Sequence, residues 1–195
     1  MSVTKSPSTR RRLLPEDRRD EIIAAATQLI SAVGFNATTI DHFARAAGIS
    51  RPGLLHHFAS RDALLEAVLE RRDGDVIGAV HREATAQNSV EAREVLSELV
   101  RVNADRRQLV QLYTILAAEA LAPEHPAYDY FRRRQTAATR LFAERILPWH
   151  PEPLAAAAQV IAHLDGLQLQ WLRDPTIDLI GQWELFAEVV FSPYD

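Results

Sequence analysis

"TTIDHFARAAGISRPGLLHHFASRDALL", residues 38–65, decides how this chain folds. Its apolar residues recur at three- and four-residue intervals, the period of a helix, yet Gly48 interrupts the pattern and Ser50 and Pro52 restart it. Thr38 can cap a helix that starts here, with Asp41 completing a T-x-x-D capping box and Ile40, Phe43, Ala44 and Ala47 on the buried side. Ser50 caps the next helix, and Pro52 falls in its first turn, where a missing N–H breaks no intrahelical bond. Ser60 opens a fourth, longer helix expected to run to about His81.

Working outward, Ile22, Ile23, Ala26, Leu29, Ile30 and Val33 repeat at helical spacing before Gly34, which predicts a first helix of roughly four turns. Residues 1–14 are polar and basic, with Arg10, Arg11 and Arg12 in a row, and read as a disordered basic arm. Downstream, amphipathic segments near 90–102, 105–121 and 127–147 are separated by Asn, Asp and Pro signals. No window sustains the two-residue alternation of a strand, and no internal repeat is present. The expected class is therefore all-α, with units at 15–60 and 61–195. The last two segments, "PEPLAAAAQVIAHLDGLQLQWL" and "IDLIGQWELFAEVVF", are apolar around much of the helix circumference. They fit either the centre of the monomer or a surface through which two copies associate.

The composition narrows the function. Of 195 residues 47% are hydrophobic and none is cysteine, so disulfides and thiolate metal sites are excluded. No run approaches the ~18 apolar residues of a membrane span, and the basic N-terminus has no apolar secretory core, so no membrane is expected and the location reads as cytoplasmic. The net charge of -4 is unevenly spread: residues 1–61 hold nine Lys or Arg against five acids, the remainder thirteen against twenty-one. A basic head on an acidic body suits a head that meets a polyanion.

Two short helices joined at Gly48 form a helix-turn-helix pattern, whose second helix can lie in the major groove of double-stranded DNA. On a helical wheel Leu54 and Phe58 share one arc, facing the core, and Arg51, Pro52, Leu55 and His56 share the other. A guanidinium can bond guanine O6 and N7 together, so Arg51 is the first candidate for reading bases. Leu55 can meet a thymine methyl, and His56 an acceptor or a phosphate. Thr38 and Thr39, at the start of the second helix, and Arg61, at the start of the fourth, are candidates for phosphate.

The threonine-capped helix, the Ala-Ala-Gly turn, the His-Phe ending and the Ser-Arg-Asp start of the next helix resemble the DNA-binding segment of the TetR family of transcriptional regulators. The resemblance covers Thr38–Leu65 closely and reaches back to Arg18. It implies an N-terminal three-helix DNA-binding domain and a C-terminal helical domain that binds a small-molecule effector and forms a homodimer through the last two helices. Carried over, it sets Arg51, Pro52, Gly53, Leu55 and His56 toward the groove, and Thr38, Thr39, His57 and Arg61 at phosphates. Leu55 stands where the family usually has tyrosine, and Arg61 where it usually has lysine. Pro52 and Gly53 replace a glycine and a small polar residue, which bears on which operator is preferred.

The body offers no G-x-G-x-x-G, P-loop, G-x-S-x-G or H-E-x-x-H, and His163 and Asp165, two apart, do not share a helix face, so no catalytic residue, metal site or cofactor is expected. His81, His125 and His150 read as surface or capping residues. Tyr113, Tyr128, Trp149, His163, Gln168 and Trp171 are candidates for a pocket lining, or else for the core or a dimer seam. Three readings stand at this stage: a repressor released from a palindromic operator by a small molecule, a DNA-binding regulator that answers to a protein or to no ligand, and a helical small-molecule-binding protein that does not touch DNA.

Overall fold

The computed structural model describes residues 15–80 and 85–191. The expected arm, 1–14, and the expected helix end at His81 lie outside the described residues. Within them the chain forms nine α-helices and no strand: α1 (Pro15–Val33), α2 (Ile40–Ala46), α3 (Arg51–His57), α4 (Arg61–Val80), α5 (Ser89–Ala104), α6 (Arg107–Glu119), α7 (Tyr128–Leu141), α8 (Pro153–Arg173) and α9 (Leu179–Phe191).

The helix ends follow local chemistry. Ser50 Oγ accepts from the Gly53 amide at 3.2 Å and Ser60 Oγ from the Ala63 amide at 3.0 Å, as hydroxyls preceding helices should. At α2 the expected cap moves by one residue: Thr39, not Thr38, accepts from the His42 amide, at 3.3 Å. Asp41 then lies outside a capping box and meets Arg51 instead. α1 runs to nineteen residues, longer than four turns. The expected helix over 127–147 changes pitch: after α7, residues Phe142–Ile146 form a π-helical turn, closed by the Leu147 amide donating to the Phe142 carbonyl at 2.8 Å. The wider turn lets Phe142, Ala143 and Ile146 all face inward, although α7 itself has no fully buried residue.

Two apolar clusters hold the molecule together. The first gathers Ile22, Ile30, Phe35, Phe43, Leu54 and Phe58 of the head with Leu64, Leu65 and Val68 of α4 and with Leu112 and Leu116 of α6 and Ala120 just after it. The start of the expected second unit thus packs with the first, and α6 crosses onto α1. The second cluster joins α5, the π-helical turn, α8 and α9 around Trp183, which is fully buried and donates its indole N–H to Ser97 Oγ at 2.9 Å. The inner faces of α8 and α9 fill this cluster, while Leu154, Leu185 and Val189 stand 61%, 65% and 74% exposed on the outer face. The inner faces of these helices thus serve the core, and their outer face leaves apolar side chains exposed.

Gly34, at φ +80°, turns the chain out of α1, and a Cβ there would lie 2.4 Å from Glu119 Oε1. Both the backbone and the neighbour demand glycine. Gly34→Ala is expected to lower unfolding free energy by about 1–3 kcal/mol, read as a reduced midpoint in urea at unchanged slope.

Candidate nucleic-acid interface and effector site

α2 and α3 are joined by a turn in which Gly48, at φ +66°, reverses the chain. Leu54 is fully buried and Phe58 nearly so, and these two side chains fix the inner face of α3 to the head. On the opposite face Arg51, Pro52, Leu55 and His56 are exposed, with Gly53 and His57 half-buried. Arg51 Nη1 lies 3.4 Å from Asp41 Oδ2, both side chains more than half exposed. Such a pair contributes little stability but orients the guanidinium. His57 is held below the ordinary histidine range, first by burial and then by the neighbouring charges of His56, Arg18 and Arg19. Arg18 and Arg19 of α1 thus stand close to the end of α3; only a folded head brings them there.

Two of the expected phosphate residues make internal links. Thr38 is 1% exposed and its hydroxyl donates to the Phe35 carbonyl at 2.6 Å, so it has no hydroxyl to offer a phosphate. Arg61 donates from Nη1 to the Thr38 carbonyl at 2.8 Å and stacks its guanidinium 4.1 Å above the Phe35 ring. Thr39 remains exposed at the start of α2.

Phe35 is the centre of a junction between head and body. Glu119, ending α6, accepts from the Phe35 amide at 2.8 Å and from the Asn36 amide at 3.2 Å. His125, in the loop before α7, packs its ring edge-on to Phe35 at 5.5 Å, with Nε2 3.9 Å from Glu119 Oε2. Further along α6, Gln111 donates to the Ser31 carbonyl at 2.8 Å. Sequence reading missed Glu119 and Gln111, because a single acid or amide on an amphipathic helix gives no sign of its partner some eighty residues away.

Above this junction α6, α7 and α8 line a cavity of about 790 Å³ that is open to solvent on one side. Of the residues expected to line a pocket, Tyr113 and Tyr128 do so, beside Phe131, Gln135, Leu121 and Leu169. The other four lie outside that wall. Trp149 packs on Phe191 and donates to the Ile146 carbonyl at 3.1 Å. His163 stacks on Phe186 with ring centres 3.5 Å apart, and Gln168 is half-buried on α8. Trp171 sits under the Arg107 guanidinium, which also donates to the Trp171 and Leu172 carbonyls. Among the described residues no group of three or more His, Cys, Asp or Glu is placed to hold a metal ion, and no helix is long and apolar enough to cross a membrane.

A small helix-turn-helix head, carried on a larger helical body with its own cavity, is the architecture of a one-component transcriptional regulator. The model of the tetR family of bacterial regulatory proteins matches residues 22–68. The HTH-type transcriptional regulator BetI 1 of Chromohalobacter salexigens is 32% identical over 164 residues, covering 80% of this chain and 78% of the relative. The nucleoid occlusion factor SlmA of Marinobacter nauticus is 26% identical over 190 residues, covering 90% and 96%. SmeT, titled the repressor of a Stenotrophomonas maltophilia multidrug efflux pump, shares the fold at a TM-score of 0.71 and 19% identity, covering 90% of this chain and 89% of that one. The chain belongs to the TetR family and is a DNA-binding transcriptional regulator of all-α fold.

Burial pushes His125 and His163 below the ordinary histidine value of 6.5, partly countered at His125 by Glu119. The unfolded chain therefore takes up protons that the folded chain refuses, so their contribution is complete above that value and is lost as pH falls. Thermal midpoints should drop from about pH 8 to about pH 5, and the slope should flatten in His163→Gln, whose Nε2 has no hydrogen-bond partner to lose.

Proposed function

We propose that the protein is a dimeric repressor that binds a palindromic operator and is released from it by a small molecule seated between α6, α7 and α8. Residues 15–60 serve as the reading head and 61–195 as the effector-binding and dimerising body, with the first turns of α4 shared between them. The observation that carries this reading is the continuous contact from the cavity to the head. Tyr113 borders the cavity on the same helix whose Glu119 holds the amides of Phe35 and Asn36, immediately before α2.

On the operator, Arg51, Pro52, Gly53, Leu55 and His56 face the bases, and Thr39 and His57 face phosphate, joined by Arg18 and Arg19. Thr38 and Arg61 set the position of α2 instead. One head buries only ~600–1,000 Å² on DNA, so two heads linked by one dimer gain affinity through effective concentration. The exposed apolar face of α8 and α9, with Leu154, Ile180, Leu185 and Val189, supports a two-fold seam. SmeT has also been solved as a triclosan complex, with a TM-score of 0.74 to this chain, 19% identity and 91% of each chain covered. That complex supports a small organic effector in the same kind of body.

Ligand in the cavity displaces α6, the junction at Phe35 follows, and the spacing of the two heads departs from the ~34–36 Å of one DNA turn. A coupling free energy of ~1–3 kcal/mol suffices to change operator affinity about 5- to 150-fold. The cavity and its route to the head support this over a regulator that answers only to a protein partner.

Selection from random duplex DNA should enrich a palindrome with the wild-type protein. Arg51→Ala should cost ~1–3 kcal/mol of affinity for that site and relax the preference at one position in each half-site. Enrichment of an unpaired site, or an unchanged preference in the variant, would contradict the reading. A second variant tests the route. Glu119→Ala leaves two head amides without their acceptor, so it should cost ~1–3 kcal/mol of stability and reduce the effector's effect on operator affinity while leaving effector affinity nearly intact, measured by calorimetry with and without operator.

A further inference from the structure

The body is acidic, yet α7 and the π-helical turn that follows it reverse its sign. Residues 62–195 hold thirteen arginines against twenty-one acids, but residues 128–146 alone hold five arginines against two acids. These arginines do not serve the core, since no residue of α7 is fully buried. Arg132 borders the cavity between α6, α7 and α8 and also a second hollow of about 410 Å³ on α7, where Arg133 and Arg140 join it. Its pairing with Asp129, at 4.0 Å between highly exposed side chains, is too weak to hold it from a ligand. Arg173, exposed at the end of α8, borders the same cavity, and the acid on that wall is Asp165.

The aromatic rings of the cavity carry a second signal. Arg134 lies 4.4 Å above the Tyr113 ring and donates to its hydroxyl at 2.6 Å, and Arg132 lies 5.5 Å from the centre of the Tyr128 ring. The π faces that would otherwise attract a cationic ligand already hold the protein's own cations. An ammonium group entering here meets repulsion from guanidinium and competes for occupied rings. A carboxylate meets the forked donors that suit its geometry. Ala117, Ala118, Leu121, Phe131 and Leu169 give the wall an apolar stretch, beside the neutral polar side chains of Thr114 and Gln135.

We infer that the effector is an amphipathic carboxylate, with an aromatic or hydrocarbon body against Phe131, Leu121 and Leu169 and its acid group at Arg132 and Arg173. This rests on the reading of that cavity as the effector site. Selectivity then comes from charge as well as shape: a neutral or quaternary-ammonium analogue with the same body binds more weakly.

The test uses the full-length protein and three probes that share a naphthalene body: 2-naphthylacetate, 2-naphthaleneethanol and (2-naphthylmethyl)trimethylammonium. Calorimetry should show the acetate binding about tenfold or more tighter than the alcohol, and the ammonium weakest. In Arg132→Gln/Arg173→Gln, with thermal melting confirming the fold, the acetate should fall to the alcohol's affinity while the alcohol is unchanged. Preference for the ammonium, an advantage that survives the double substitution, or no binding of any probe would overturn the inference. Operator anisotropy, run in parallel, separates the two readings. Acetate that binds in calorimetry without altering operator affinity defeats the effector reading and leaves the ligand class standing; ammonium that releases operator does the reverse.

Discussion

The carboxylate of Glu119 is the constraint on which the arrangement of head and body depends. It ends α6, reaches the chain as it leaves α1, and accepts the amides of Phe35 and Asn36, which no helix satisfies. Hydrogen bonds to a charged group contribute ~1.5–3 kcal/mol each, the same order as the coupling a regulator needs between its two sites. Gly34 must lack a side chain for the carboxylate to approach. Phe35, fixed by its own amide, then becomes the surface on which Arg61 and His125 stack, and Arg61 in turn holds the carbonyl of Thr38. The start of α2 is therefore positioned through side chains of three elements that meet at one ring.

The body is built around a different principle. Trp183 fills its centre, and α5 and α9 are tied at their edge by Arg93, which bridges Glu184 and Glu188. Because α9 meets the core through Trp183, Ala187 and Phe191, it presents Leu185 and Val189 outward. The helix pair is therefore apolar on both sides, its inner side within the core and its outer side exposed.

Much of this was legible in the sequence, for reasons that differ along the chain. The helix-turn-helix could be read because its signals are local: a capping serine, a proline in the first turn, a glycine at positive φ. Arg51, Leu55 and His56 were placed on the exposed arc by angle alone. The errors came where a side chain's partner is remote. Thr38 looked like a cap and a phosphate contact, but burial against Phe35 shifted the cap to Thr39. For Arg61, expected at a phosphate, the stacking on Phe35 and the bond to the Thr38 carbonyl were invisible, although its side chain stays 34% exposed. For the cavity, aromatic residues were a poor guide, since Trp149 donates to the Ile146 carbonyl and packs on Phe191 and Trp171 lies under the Arg107 guanidinium, whereas the wall is completed by α7. The π-helical turn at 142–146 was also hidden, because Phe142, Ala143 and Ile146, at spacings of three and four, suit one face of an ordinary α-helix equally well.

α7 forms one wall of the cavity while contributing no fully buried side chain to either cluster. Most substitutions on its exposed face change the chemistry offered to a ligand without opening a void in the core, where the large penalties arise. Recognition and foldability are thus under nearly separate selection. The surface that α7 gives the cavity can therefore change by drift along this helix while both apolar cores and the junction at Phe35 stay as they are.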